Sequence, residues 1–324
     1  MQNIVHEIVF AYLCTMKTLK FLPFLLIFAA LSSCSGGDSP EVSYDYVAVQ
    51  ARPDGPWSML SADGSLKYAD KFVNEPTSVC NGYFSTPDSA GYTLRKAGRK
   101  PEVVCAGLVS VGYMCSGLIP ATFPGERIAL LKGNGKVRFT LEPFEGKEIV
   151  ACAPGYSGGL LIVSDEADRV GAVDTDGRWV VEPQYGSLVP FGGGYSLATL
   201  GDECFVVDST GTRVAALAEP VLADGPFEGG RLAGRTLGGA RVSVDVKGRI
   251  TPVAPKAESR LALPGFGALD AGKFARVNLA LSPGMVVSDY HADRNAAYED
   301  PHEEVYEPQP QRRDTSEYFY CDTI

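Results

Sequence analysis

Gly155-Tyr156-Ser157-Gly158-Gly159 reproduces, letter for letter, the G-x-S-x-G spacing that exposes a nucleophilic serine on a strand-to-helix turn. Such a serine needs a base, ordinarily an imidazole, to take its proton. Beyond the N-terminal segment only His291 and His302 remain, both in an acidic C-terminal stretch. The residues after Gly159, Leu160-Leu161-Ile162-Val163, read as a strand, and the matching places downstream read Gly192-Gly193-Gly194 and Glu228-Gly229-Gly230 without a serine. The motif is therefore expected to be a repeat turn. Asp174, Asp176, Asp208 and Asp245 are the acids a glycan hydrolase could pair for acid–base work. Three of them, Asp174, Asp208 and Asp245, sit three residues before a glycine, which assigns them to turns. An active site would use an acid that lacks counterparts. His291, Asp293, His302, Glu303 and Glu304 are conceivable metal ligands, but their spacing matches no named site and Pro301 stands among them. Lys132-Gly133-Asn134-Gly135-Lys136 lacks the spacing of a phosphate loop and reads as a hairpin tip. No catalytic, cofactor or metal site is expected.

The elements that carry these residues recur. Turn glycines fall at Gly82, Gly117, Gly159, Gly194 and Gly230, spaced by 35, 42, 35 and 36 residues. A second series, Gly98, Gly135, Gly177, Gly211 and Gly248, moves in step at 37, 42, 34 and 37. Periods of this size mark a repeat architecture. Within each period, short β-branched or aromatic runs such as Tyr195-Ser-Leu-Ala-Thr-Leu200 and Cys204-Phe-Val-Val-Asp208 are bounded by Gly or Asp, the pattern of hairpins. Glu142-Pro143, Glu182-Pro183 and Glu219-Pro220 place a missing N–H where a strand ends or lies at an edge. First strands at Tyr46, at the five turn glycines and near Gly272 make six full units and a partial seventh. Lys273-Phe-Ala-Arg-Val-Asn-Leu-Ala280 is a first strand with no hairpin after it, as a ring closed by its own ends would have. The expected fold is all-β, with hairpin repeats of about 35–42 residues and propeller-like closure; an open β-solenoid is the alternative.

Phe191-Gly-Gly-Gly194-Tyr-Ser-Leu-Ala198, Phe227-Glu-Gly-Gly230-Arg-Leu-Ala233 and Gly171-Ala-Val-Asp174-Thr-Asp-Gly177 resemble the WG-repeat family of bacterial β-repeat proteins. No unit keeps the Trp-Gly pair; Trp57-Ser58, Val170-Gly171 and Cys204-Phe205 stand in its place, so the repeats are divergent. The resemblance implies a scaffold and names no activity.

At the front, Lys17 and Lys20 precede the apolar run from Phe21 to Leu31, then Ser32-Ser33-Cys34. This describes a signal peptide over residues 1–33, with Met16 as its expected start, and a run short of the roughly 20 residues a span needs. Leu31-Ser32-Ser33-Cys34 resembles the lipobox of bacterial lipoproteins, which implies lipid on Cys34, a flexible linker over residues 34–43 and a place in the cell envelope. The repeat domain is expected over residues 44–287 and an acidic, disordered tail over 288–324.

Ten acidic and three basic residues lie between Met285 and Ile324, whereas residues 44–284 are nearly neutral. That balance argues against nucleic acid, and no polybasic run marks an anionic lipid site, so membrane contact is expected through the lipid alone. Cys80 and Cys115 each sit two residues before a turn glycine and are expected as small buried side chains, with a disulfide between neighbouring repeats as the alternative. The tail tyrosines 290, 298, 306, 318 and 320 could serve a partner. The function expected is a non-enzymatic envelope lipoprotein binding protein or glycan; a glycan hydrolase and a structural envelope component are the alternatives.

Overall fold

The computed structural model describes residues 42–254 and 262–290. The first three strands are β1 (Tyr44–Gln50), β2 (Trp57–Ser61) and β3 (Leu66–Phe72). Next come β4 (Val79–Cys80), β5 (Tyr83–Asp88), β6 (Gly91–Lys96) and β7 (Glu102–Leu108). A third set is β8 (Ser110–Val111), β9 (Leu118–Thr122), β10 (Ala129–Lys132) and β11 (Val137–Thr140). A fourth is β12 (Ile149–Cys152), β13 (Leu161–Asp165), β14 (Val170–Val173) and β15 (Trp179–Tyr185). The fifth is β16 (Ser187–Leu188), β17 (Tyr195–Leu200), β18 (Glu203–Asp208) and β19 (Arg213–Ala216). The sixth is β20 (Val221–Ala223), β21 (Arg231–Thr236), β22 (Arg241–Asp245) and β23 (Ile250–Pro252). Four short strands follow: β24 (Ala262–Leu263), β25 (Gly267–Ala268), β26 (Arg276–Asn278) and β27 (Val286–Val287). Among the described residues there is no α-helix, only a 3-10 turn at Ala271–Lys273.

Each set is an antiparallel meander, here called modules one to six. Module one owns only three strands; β26 supplies the fourth, pairing Ala48 with Asn278 and Gln50 with Arg276. The C-terminal part thus completes the N-terminal sheet, the propeller-like closure the unpaired last strand predicts. Tyr44 and Tyr46 of β1 also pair with Cys80 and Val79, which fuses modules one and two into one eight-stranded sheet. The sequence period is offset by one strand from the module. Its glycine turn joins a module's first strand to its second, so every period ends with the first strand of the next module.

The turns explain the two glycine series differently. Asn81-Gly82 (φ 49 and 83) and Gly229-Gly230 (φ 54 and 75) are two-residue hairpin turns with both residues left-handed. That geometry matches the twist of the flanking strands. From Gly135 onward, the second series combines positive φ with close packing on the preceding module. A Cβ on Gly135 would stand 2.8 Å from the Val104 carbonyl oxygen, and one on Gly248 2.9 Å from that of Ala216. On Gly177 it would meet the Phe139 ring at 2.9 Å. Gly135, Gly177, Gly211 and Gly248 therefore each seat one module against the last strand of its predecessor, which Gly98 of module two does not do. Gly171, inside β14, is required for another reason: β15 crosses so closely that a Cβ would lie 2.5 Å from the Val181 oxygen.

The cores follow the same order. One cluster joins module one to Phe84 of module two, another joins modules two and three, and the largest runs from Cys80 through modules three and four to Val207. Leu197, Val206, Phe227 and Val244 join modules five and six. Leu263 and Phe266 pack on Val47 and Leu60, closing the series on module one. Tyr156, Tyr185, Phe191 and Phe227 are fully buried, each contributing roughly 1.5–3 kcal/mol from apolar area removed from water.

After β26 the chain runs to module four, where Val286 and Val287 pair with Cys152 and Ala151 on the free edge of β12. Ser288, Asp289 and Tyr290, which the sequence places at the start of the tail, are held here. Ser288 N–H donates to Val150 O at 2.9 Å and Asp289 N–H to Glu126 O at 3.0 Å. The rest of that tail, with His291 and His302, lies outside the described residues, as do Cys34 and Cys321.

Candidate functional site

The repeated acids are turn residues. Asp174 Oδ1 accepts the N–H groups of Asp176 (2.8 Å) and Arg178 (2.9 Å). Asp208 Oδ1 does the same with Thr210 and Thr212, and Asp245 Oδ1 with Lys247 and Arg249. The three surroundings are alike and belong to three different modules, so these acids are not gathered into one site. The Thr210 hydroxyl, then the two N–H groups, hold the Asp208 carboxyl below its usual range; the Arg249 N–H leads the same effect at Asp245. Asp176 is spent on ion pairs with Arg138 (3.2 Å) and Arg178 (3.5 Å).

Among the described residues Asp165 is the one buried carboxylate, with no exposed surface. It accepts the N–H groups of Ala167 and Arg169 and faces the Arg169 guanidinium at 2.7 Å, so its oxygens too are committed to a turn. Ser157 sits in a two-residue turn with Leu160 and donates its hydroxyl to Phe191 O at 2.7 Å, tying module four to module five. A strand, β13, follows it, not a helix. Asn134 Oδ1 accepts the Lys136 N–H, the hairpin tip expected there.

None of Cys80, Cys105, Cys115, Cys152 and Cys204 forms a disulfide, and all but Cys105 are buried. Burial pushes the Cys80 thiol up to about 12 and the Cys152 thiol higher still, so neither is a nucleophile at neutral pH. No group of three or more metal-ligating side chains occurs among the described residues. An open depression of about 520 Å³ lies beside β22 and β23, lined by Glu219, Thr236, Val242, Arg249 and Ile250 among others.

Arg127 is the constellation that no sequence pattern marks. Its guanidinium grips Glu148 through two bonds (2.7 and 2.8 Å), reaches Glu142 at 3.3 Å and lies 4.4 Å from the centre of the Tyr290 ring. The Gly125 N–H donates to Asp289 at 2.6 Å beside it. The group fastens the C-terminal segment to modules three and four. Its members are scattered between positions 125 and 290, and only the isolated β-branched pair Val286-Val287 hints at a docked strand.

No protein-family model matches the sequence, and no curated protein resembles it significantly. Similar solved structures include the WD40 β-propeller domain of Doa1 (13% identity, 65% of this chain and 72% of that one, TM-score 0.31). BamB from Moraxella catarrhalis is 16% identical over 64% of this chain and 68% of its own, with a TM-score of 0.37. PorZ, described as an essential bacterial surface component of the type-IX secretion system of Porphyromonas gingivalis, is 11% identical over 70% of this chain and 33% of its own, with a TM-score of 0.40. None of these values carries a neighbour's role over to this chain, which stands on its own strand pairing as an all-β, propeller-like repeat scaffold closed by β26.

Proposed function

We propose that this chain is a non-enzymatic envelope lipoprotein, a divergent member of the WG-repeat family, whose β-repeat body binds protein or glycan. The observation that carries the reading is the fate of the recurrent acids: Asp174, Asp208 and Asp245 each give one oxygen to two backbone N–H groups of their own turn. Residues that look like repeated chemistry are scaffold parts, and a repeated scaffold offers broad loop-built surfaces for recognition. The anchor is assigned from the lipobox-like Leu31-Ser32-Ser33-Cys34, and the ordered body begins soon after, with β1 at Tyr44. Ten residues of linker reach at most about 35 Å, which would keep the body close to the bilayer.

Fatty-acid labelling of the native chain, set against Cys34→Ser, tests the anchor; equal label in both removes it. Protease treatment of intact cells reports which face is occupied. A polysaccharide screen separates binding from turnover: hydrolysis abolished by changing one non-repeated carboxylate would establish the hydrolase instead.

A further inference from the structure

We propose that the glycine-turn end of modules two and three is a docking surface for an anionic phospholipid bilayer. In a four-stranded meander the first and third turns share one end and the second turn lies at the other. The Lys96–Lys100 and Lys132–Lys136 segments are the third turns of modules two and three. Lys96, Arg99, Lys100, Lys132 and Lys136 are all exposed, and none of them makes an ion pair with another described residue.

The two turns are brought together by contacts between the modules. Lys96 Nζ lies 6.0 Å from the Tyr83 ring centre, and the Tyr83 hydroxyl donates to Gly133 O at 3.1 Å. Gly135 is seated on Val104, the strand neighbour of the Arg99–Lys100 loop. Glu102, Asp45 and Asp176 are nearby acids; Asp45 accepts the Gly82 N–H and Asp176 is already paired with Arg138 and Arg178. The position is also distinctive within the repeat. Lys132 makes the same N–H to carbonyl bond across its turn as Asp174, Asp208 and Asp245 make across theirs, yet carries the opposite charge.

Lipid is favoured over other polyanions by where the chain enters, a step that rests on the reading of Cys34 as the anchor. Ser43 O accepts the Asn81 N–H (3.1 Å), and Asp45 accepts the Gly82 N–H (2.6 Å). Gly82 O in turn accepts the Ala97 N–H at 2.8 Å. The tether therefore emerges beside the basic turns. Glu126, Glu142, Glu148 and the departing Tyr290 lie at the opposite end, while Asp174, Asp208 and Asp245 share the basic end but belong to modules four to six, so an anchored body would present the bases of modules two and three to the headgroups. A plane of headgroups needs no pocket, only bases at one end, and partition gains roughly fivefold per base near such a surface.

The test uses the processed chain from residue 34 with Cys34→Ser, so that no acyl chain contributes; every core residue is retained. Sedimentation with phosphatidylglycerol vesicles at low salt should retain the protein, whereas phosphatidylcholine vesicles should not. Lys100→Gln, Lys132→Gln and Lys136→Gln together should weaken retention by about a hundredfold. Removing equal charge at the opposite end, with Arg52→Gln, Lys71→Gln and Arg241→Gln, should leave it unchanged. Retention that is absent, equal on both vesicles or indifferent to the first triple variant overturns the proposal. So does tighter binding to single-stranded RNA or to an acidic polysaccharide than to the vesicles. Because fatty-acid labelling is read separately on the native chain, loss of the anchor and loss of this surface are distinguishable.

Discussion

Arg127 holds Glu148 through a two-pronged ion pair and lies over the Tyr290 ring, so one guanidinium joins modules three and four to the C-terminal segment. Arg127→Ala should cost about 1–3 kcal/mol, since it strips charge-assisted bonds from a partly buried carboxylate. Amide hydrogen exchange at Val286 and Val287 should accelerate more than exchange in module six. Unchanged protection of those two amides would show that β27 is held without this residue.

Gly230 and Gly248 share φ 75 but differ in surroundings, open space around the first and the Ala216 oxygen 2.9 Å from a Cβ on the second. Alanine at Gly230 should cost about 1–2 kcal/mol for left-handed backbone alone. Alanine at Gly248 should cost more, because module six must also lift off module five. Urea unfolding of the two variants measures the difference, and equal losses would remove the inter-module role of the third-turn glycine.

Acid should weaken the turns in a defined sense. Asp208 and Asp245 have folded-state carboxyls below their ordinary range, so their contribution is present above that range and is lost as pH falls through the depressed values. Asp208→Asn keeps an oxygen acceptor but no titrating group. Its stability should therefore fall less steeply than that of the native chain between about pH 5 and 2. Parallel acid profiles would contradict the assignment.

Thiol chemistry reports on the core. Cys80, Cys115, Cys152 and Cys204 should resist an aromatic disulfide reagent at pH 8 until the protein unfolds, while the partly exposed Cys105 reacts first. Cys80 is raised to about 12 by desolvation, so its neutral form favours the folded state. That contribution is complete below the unfolded thiol's value and fades as pH climbs from about 9 towards 12. Cys80→Ala should flatten this alkaline decline, measured by thermal melts across that range.

Local chemistry was legible in the order of residues. Glycine pairs, Asp three places before a glycine and short β-branched runs are instructions read by the nearest backbone, so the hairpins, the all-β class and the structural use of Ser157 and Asp174 could be read from them. The orphan strand around Arg276–Asn278 also pointed to closure, since an unpaired edge must find a partner. Other relationships depended on contacts across modules. Joining β1 to β4, docking β27 on β12 and gathering Arg127, Glu148 and Tyr290 bring together residues up to about 160 positions apart. The charge polarity has the same origin. The bases of the two turns are separated by more than 30 residues in a nearly neutral body, and only packing Gly133 and Gly135 on module two makes them one surface. Composition averages such charges away, because it counts them without regard to which end of a sheet they occupy.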